Sequence, residues 1–87
     1  MKVTILNQPT IEHARTTYKV DIKVEDKTYY VARQEIDGEM HTYIKDEYGS
    51  PASAHITKVV DALFANDEFN WSDRSQWLAD KVFELKI

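Results

Sequence analysis

Residues 18–44, YKVDIKVEDKTYYVARQEIDGEMHTYI, decide the fold, because they contain three segments with the side-chain pattern of β-strands. From Tyr18 to Val24, apolar side chains alternate with charged ones, which is the period-two pattern of a strand with one buried face. The segments 27–34 and 40–44 are rich in the aromatic and β-branched residues that favour pleated strands. The stretch therefore predicts three antiparallel strands with an apolar inner face and a polar outer face.

Two turns determine which side chains share a face. Asp37-Gly38 is a strong hairpin signal, because a type I′ turn needs positive φ at both central positions, and it sets Val31 opposite Ile44. For the first hairpin we predict Asp26-Lys27 as the central pair, which sets Ile22 opposite Val31. The predicted inner face consists of Tyr18, Val20, Ile22, Val24, Tyr29, Val31, Met40 and Ile44. The predicted outer face consists of Lys19, Asp21, Lys23, Tyr30, Ala32, Gln34, His41, Tyr43 and Lys45.

The segments before this stretch carry weaker signals. Residues 3–6 form a short apolar run, which predicts a fourth strand at a sheet edge. Residues 7–17 contain a proline and three threonines, which indicates a connecting loop or one helical turn beginning at Thr10.

Two helices are predicted after the third strand. Ser50 can cap the first helix, and Pro51 suits its first position, where no backbone N–H is needed. This helix has an apolar stripe and is predicted to end at Asn66; the stripe contains Ala52, Ile56, Val59, Val60, Leu63 and Phe64. A second helix is predicted from Ser72, and its apolar face contains Trp77, Leu78, Val82 and Leu85.

The expected architecture is a single α+β domain over residues 1–87. Its sheet is a three- or four-stranded antiparallel β-meander, and two C-terminal helices pack on one face to form a second layer. In this arrangement the outer sheet face stays solvated.

Composition limits the classes of function. The chain has no cysteine, so it has neither disulfides nor thiolate metal ligands, and we expect a reducing compartment such as the cytoplasm. Its N-terminus lacks the pattern of a signal peptide or a membrane span. The net charge is −4, divided into +2 over residues 1–34 and −6 over residues 35–87. The absence of a clustered basic stripe disfavours duplex DNA and membrane surfaces as partners.

No pattern in the chain indicates catalysis. Its three histidines show no H-E-x-x-H spacing, and no glycine-rich phosphate loop occurs. Glu39, His41 and Tyr43 alternate along one strand, which is ordinary for a solvated sheet surface. We therefore expect a protein without enzymatic activity, cofactor or metal.

The first hypothesis is a protein-binding module that uses the acidic half of the chain. Carboxylates concentrate in turns and loops, where they could meet a basic surface on another protein, and nearby aromatic rings could anchor the contact. The predicted partner-binding residues are Glu35, Asp37, Glu39, Asp46, Glu47, Asp67, Glu68, Phe69, Trp71 and Asp73. In size and composition, though not in any motif, the chain resembles the small inhibitors that phages and other mobile elements encode against restriction or CRISPR enzymes. That resemblance implies a host nucleic-acid-binding factor as the partner.

Two alternatives belong to other classes. The first is weak binding of single-stranded nucleic acid on the outer sheet face, through Lys23, Tyr30, Tyr43 and Lys45, because aromatic rings flanked by lysines stack bases and neutralise phosphates. The second is a structural or assembly role in which a free sheet edge pairs with another copy. We expect a monomer or a weak homodimer.

Overall fold

The computed structural model describes residues 1–12, 17–69 and 77–86. Within them lie six strands and one helix: β1 (Lys2–Ile5), β2 (Thr10–Glu12), β3 (Thr17–Val24), β4 (Lys27–Ile36), β5 (Glu39–Asp46), α1 (Ala54–Phe64) and β6 (Val82–Glu84). All strand pairs are antiparallel, in the order β5-β4-β3-β1-β6, and β2 pairs with β3 beyond the end of β1. The α+β class with an antiparallel sheet is therefore confirmed, with more strands than the three or four predicted.

The second hairpin has the predicted register, with Val31 opposite Ile44. At its turn both central residues have positive φ, 52° for Asp37 and 82° for Gly38, as a type I′ turn requires. The Asp-Gly signal therefore fixed this half of the sheet correctly.

The predicted register of the first hairpin is wrong by two residues. The central pair is Glu25-Asp26, whose φ angles are 50° and 65°, so that Ile22 lies opposite Tyr29 and Val20 opposite Val31. Because side chains alternate with period two, a shift of two residues leaves every side chain on its predicted face. The shift changes only the pairs of residues that lie opposite each other on β3 and β4.

Fewer residues of the predicted inner face are buried than expected. Val20, Ile22, Val24, Tyr29 and Val31 are buried as expected. By contrast Tyr18 and Ile44 are only half-buried, and Met40 is 47% exposed. Met40 pairs with Glu35 near the turn of the second hairpin, at the end of the sheet.

The N-terminal segment contributes more to the sheet than predicted. β1 lies between β3 and β6 and is therefore an inner strand, not an edge strand, and Val3 and Ile5 are fully buried. Residues 10–12 form β2 where a loop or a helical turn was expected. Along β3 the hydrogen-bonded partner thus changes from β1 to β2, and the irregular residues 6–9 connect these two strands.

The first helix begins later than predicted. Ser53 is its N-cap, and the Ser53 hydroxyl accepts a hydrogen bond from the Ile56 N–H at 3.4 Å. Pro51 instead makes a β-bridge with Lys45, and Ala52 N–H donates to the Ile44 carbonyl at 3.1 Å, so the chain first folds back along β5. The apolar stripe is confirmed in its buried members, which are Ile56, Val59, Val60 and Leu63.

The predicted second helix is wrong over the residues that the structure describes at the C-terminus. Asp80 has a φ of 66°, which an α-helix does not accommodate, and Val82–Glu84 form strand β6 beside β1. Phe83 and Leu85 are buried whereas Val82 is 56% exposed, as strand alternation requires. Residues 72–76 of that prediction lie outside the described residues.

Among the described residues, an apolar core joins the inner sheet face to α1 and the C-terminal segment. Phe69 stands between Phe64 and Phe83, with edge-to-face ring contacts at centroid distances of 5.6 and 5.7 Å. The Arg33 guanidinium lies 4.4 Å from the centre of the Phe64 ring, so the C-terminal end of α1 is held close to β4. In the described part of the chain, no helix is long and apolar enough to cross a membrane.

Candidate binding surface on the outer sheet face

The outer face of β3, β4 and β5 carries a two-by-three array of side chains, which we call the outer-face array. One row across the strands is Lys19, Ala32 and Tyr43, and the next row is Asp21, Tyr30 and Lys45. These six residues, with Val31, line an open depression of about 470 Å³. The small Ala32 side chain leaves space in the middle of one row, beside larger neighbours.

The two tyrosines of the array are available to a ligand. Tyr30 is 47% exposed and Tyr43 is 51% exposed. They occupy diagonal positions on neighbouring strands, which are typically about 7–8 Å apart. Both tyrosines border the same depression, where unpaired bases can stack on their rings.

The array is cationic within an acidic protein. Its two lysines and one aspartate give a formal charge of +1, whereas the whole chain carries −4. Lys19 and Lys45 stand at opposite corners and are both exposed. This local excess of positive charge favours an anionic ligand at the array.

The Asp21 side chain is held by the segment between β1 and β2. The Asn7 amide donates to Asp21 Oδ2 at 2.9 Å, and Asn7 Oδ1 accepts from the Asp21 N–H at 2.9 Å. Leu6 N–H adds a bond to the Asp21 carbonyl at 2.9 Å. The irregular residues between β1 and β2 thus orient a carboxylate at the rim of the depression.

Three of the four residues predicted for nucleic-acid binding belong to the array: Tyr30, Tyr43 and Lys45. The fourth, Lys23, does not, because the corrected register pairs Lys23 with Thr28 and puts Asp21 beside Tyr30. Lys23 Nζ instead lies 3.8 Å from Asp26 Oδ1 in the adjacent turn. Asp21 takes the predicted place of Lys23 opposite Tyr30, and Lys19 takes that of Asp21 opposite Ala32. The sequence did not mark the turn that sets this register, because Glu25-Asp26 contains no glycine.

The predicted acidic residues occupy separate regions. Glu35, Asp37 and Glu39 are exposed around the second hairpin turn. Asp46 and Glu47 lie at the other end of β5, about 23 Å from Glu39 at the rise of an extended strand. Asp67 and Glu68 are exposed in the turn after α1, and Trp71 and Asp73 lie outside the described residues.

Two of the predicted partner-binding residues, Asp46 and Phe69, have structural roles. Asp46 Oδ1 accepts hydrogen bonds from the N–H groups of Tyr48 and Ser50, both at 2.9 Å, and so closes the turn after β5. Phe69 is only 1% exposed and belongs to the core. The prediction that Phe69 anchors a partner is therefore wrong, because its ring is already covered by Phe64 and Phe83.

Comparison of the chain with models of protein families, with curated proteins and with solved structures found no match.

Proposed function

We propose that this domain is a non-catalytic binding module that takes single-stranded nucleic acid on its outer-face array. The observation that supports the proposal best is the pairing of two half-exposed tyrosines with two lysines around one open depression. Aromatic rings on an open sheet stack unpaired bases, and the neighbouring ammonium groups neutralise the backbone phosphates.

The acidic remainder of the chain limits the affinity. Only two lysines border the depression, while the rest of the molecule carries a charge of −5. Long strands that extend beyond the array would meet carboxylates, so short segments should account for most of the binding. A cytoplasmic location of the protein stays a prediction.

Titration with a fluorescent single-stranded oligonucleotide at several salt concentrations tests the proposal. With two phosphates neutralised, log K should fall with log[salt] at a slope of about −1.4. Lys45→Gln should reduce the slope by about half, whereas Lys58→Gln, an exposed lysine on α1, should leave it unchanged. Equal slopes for the two variants would place the contact elsewhere.

A second candidate is the acidic protein-binding module, which could act as a phage-type inhibitor of a host nucleic-acid-binding protein. It is favoured by the second hairpin turn, where Ile36 and Met40 are 40% and 47% exposed beside Glu35, Asp37 and Glu39. Ile36 lies on the outer face and Met40 on the inner face, so a basic partner that wraps around the turn would meet an apolar side chain on each side.

Reversing Asp37, Glu39 and Glu68 to lysine tests this second candidate by affinity capture from lysate of the source organism. A partner that depends on these charges should be captured by the native domain and lost with the triple variant, because rim charges mainly set the association rate. Circular dichroism must first show that the variant is folded. Capture of the same proteins by both versions would exclude the acidic surface as the site.

A further inference from the structure

We infer that Asp21 gives the outer-face array a preference for guanine over thymine. The inference rests on the proposed function, because it concerns which base occupies the same depression. Asp21 is the acidic residue of an array that otherwise suits a polyanion. A carboxylate at that position repels phosphate but accepts hydrogen bonds, so it favours a ligand group that donates them.

The position of Asp21 is defined by its neighbours. It lies directly across from Tyr30 in the register of β3 and β4, and it lines the depression with both tyrosines. A base stacked on Tyr30 would therefore present one edge to the Asp21 carboxylate.

The orientation of the carboxylate is also defined. The Asn7 side-chain N–H donates a hydrogen bond to Asp21 Oδ2 at 2.9 Å, and Asn7 Oδ1 accepts one from the Asp21 backbone N–H. An ionised carboxylate has about four lone-pair sites, so one bond from Asn7 leaves acceptor capacity on both oxygens. A donor that meets this group finds it already fixed, and binding loses little side-chain entropy.

The edges of the bases differ in how well they match a fixed carboxylate. Guanine offers two adjacent donors, the N1–H and the N2 amino group, which fit the two oxygens together. Adenine and cytosine each offer one amino group. Thymine offers a single N3–H between two carbonyl oxygens, and those oxygens repel the carboxylate.

Fluorescence anisotropy with two eight-nucleotide DNA strands tests the inference, one of thymine only and one of alternating thymine and guanine. The native protein should bind the guanine-containing strand more tightly by about fivefold, at the lower end of what a bidentate base contact gives. Asp21→Asn keeps the shape and an acceptor for Asn7 but replaces one acceptor by a donor. This variant should bind the guanine-containing strand less tightly and the thymine strand at least as tightly as the native protein does.

Asp26→Asn is the matched control, because Asp26 is a nearby carboxylate whose side chain is 98% exposed in the turn outside the array. It should change the affinity for both strands by the same factor. A loss confined to the guanine-containing strand separates base recognition from a folding defect, which would weaken both complexes.

The outcomes distinguish the inference from the proposed function. Equal affinity of the native protein for the two strands, or equal losses from Asp21→Asn, would overturn the guanine preference while nucleic-acid binding stands. If neither strand binds, both proposals are overturned. Binding of an arginine-rich peptide with no oligonucleotide binding would likewise overturn both, and it would favour the acidic surface as the binding site.

Discussion

Replacing Phe69 with alanine is expected to lower the free energy of unfolding by about 3–5 kcal/mol, because it empties a space between Phe64 and Phe83 in the core. At about 0.05–0.15 kcal/mol per residue, a chain of this length has only about 4–13 kcal/mol in total. The loss is therefore between about a quarter and all of the stability, and the midpoint of urea unfolding should fall in proportion. Urea unfolding followed by circular dichroism measures the change.

Tyr48→Ala is the control for this measurement, since Tyr48 is also an aromatic residue but is 86% exposed. It should alter the free energy of unfolding by less than about 0.5 kcal/mol, as most surface substitutions do. If Phe69→Ala were as mild as Tyr48→Ala, the ring would not be part of the core. The role of a surface anchor for a protein partner would then regain support.

Replacing both Tyr30 and Tyr43 with alanine is expected to weaken oligonucleotide binding by about 30-fold or more. Each stacked base contributes about 1–3 kcal/mol, and about 1.4 kcal/mol corresponds to a factor of ten. The residues are diagonal neighbours on one face, so their contributions need not add, and the single variants should be measured as well.

Replacing the same two residues with phenylalanine provides the matched control for the array. It keeps both rings and removes only the hydroxyl groups, so stacking should persist and affinity should change little. The alanine pair could also lower stability by up to about 1 kcal/mol at each strand position, which unfolding curves would reveal. An alanine pair that is folded and binds as tightly as the native protein would exclude the two rings from the contact.

The sequence predicted well what local chemistry determines. Asp37-Gly38 fixed the second hairpin because this turn type demands residues that tolerate positive φ. The stripe from Ile56 to Leu63 was readable because four buried positions recur at helical spacing. For the same reasons the outer-face positions of Tyr30, Tyr43 and Lys45 could be predicted from the sequence, whereas their role in binding stays a prediction.

What failed depended on tertiary pairing. Leu78, Val82 and Leu85 recur at helical spacing, yet Phe83 and Leu85 also alternate as a strand, and only the neighbouring β1 selects the strand. Glu25-Asp26 contains no glycine, so nothing local marked it as a type I′ turn, and Lys23 was placed beside Tyr30 in error. The role of Asn7 depends on a contact across 14 residues and had no sequence signal.

The most direct test of the central claim, that the outer-face array is the binding surface, is to map backbone amide shifts by NMR while adding the guanine-containing strand. The largest changes are expected in the two rows that contain Tyr30 and Tyr43, together with Asp21, and little change is expected in α1. Shift changes confined to the second hairpin turn or to α1 would contradict the claim. The absence of any change at a millimolar concentration of the oligonucleotide would contradict it as well.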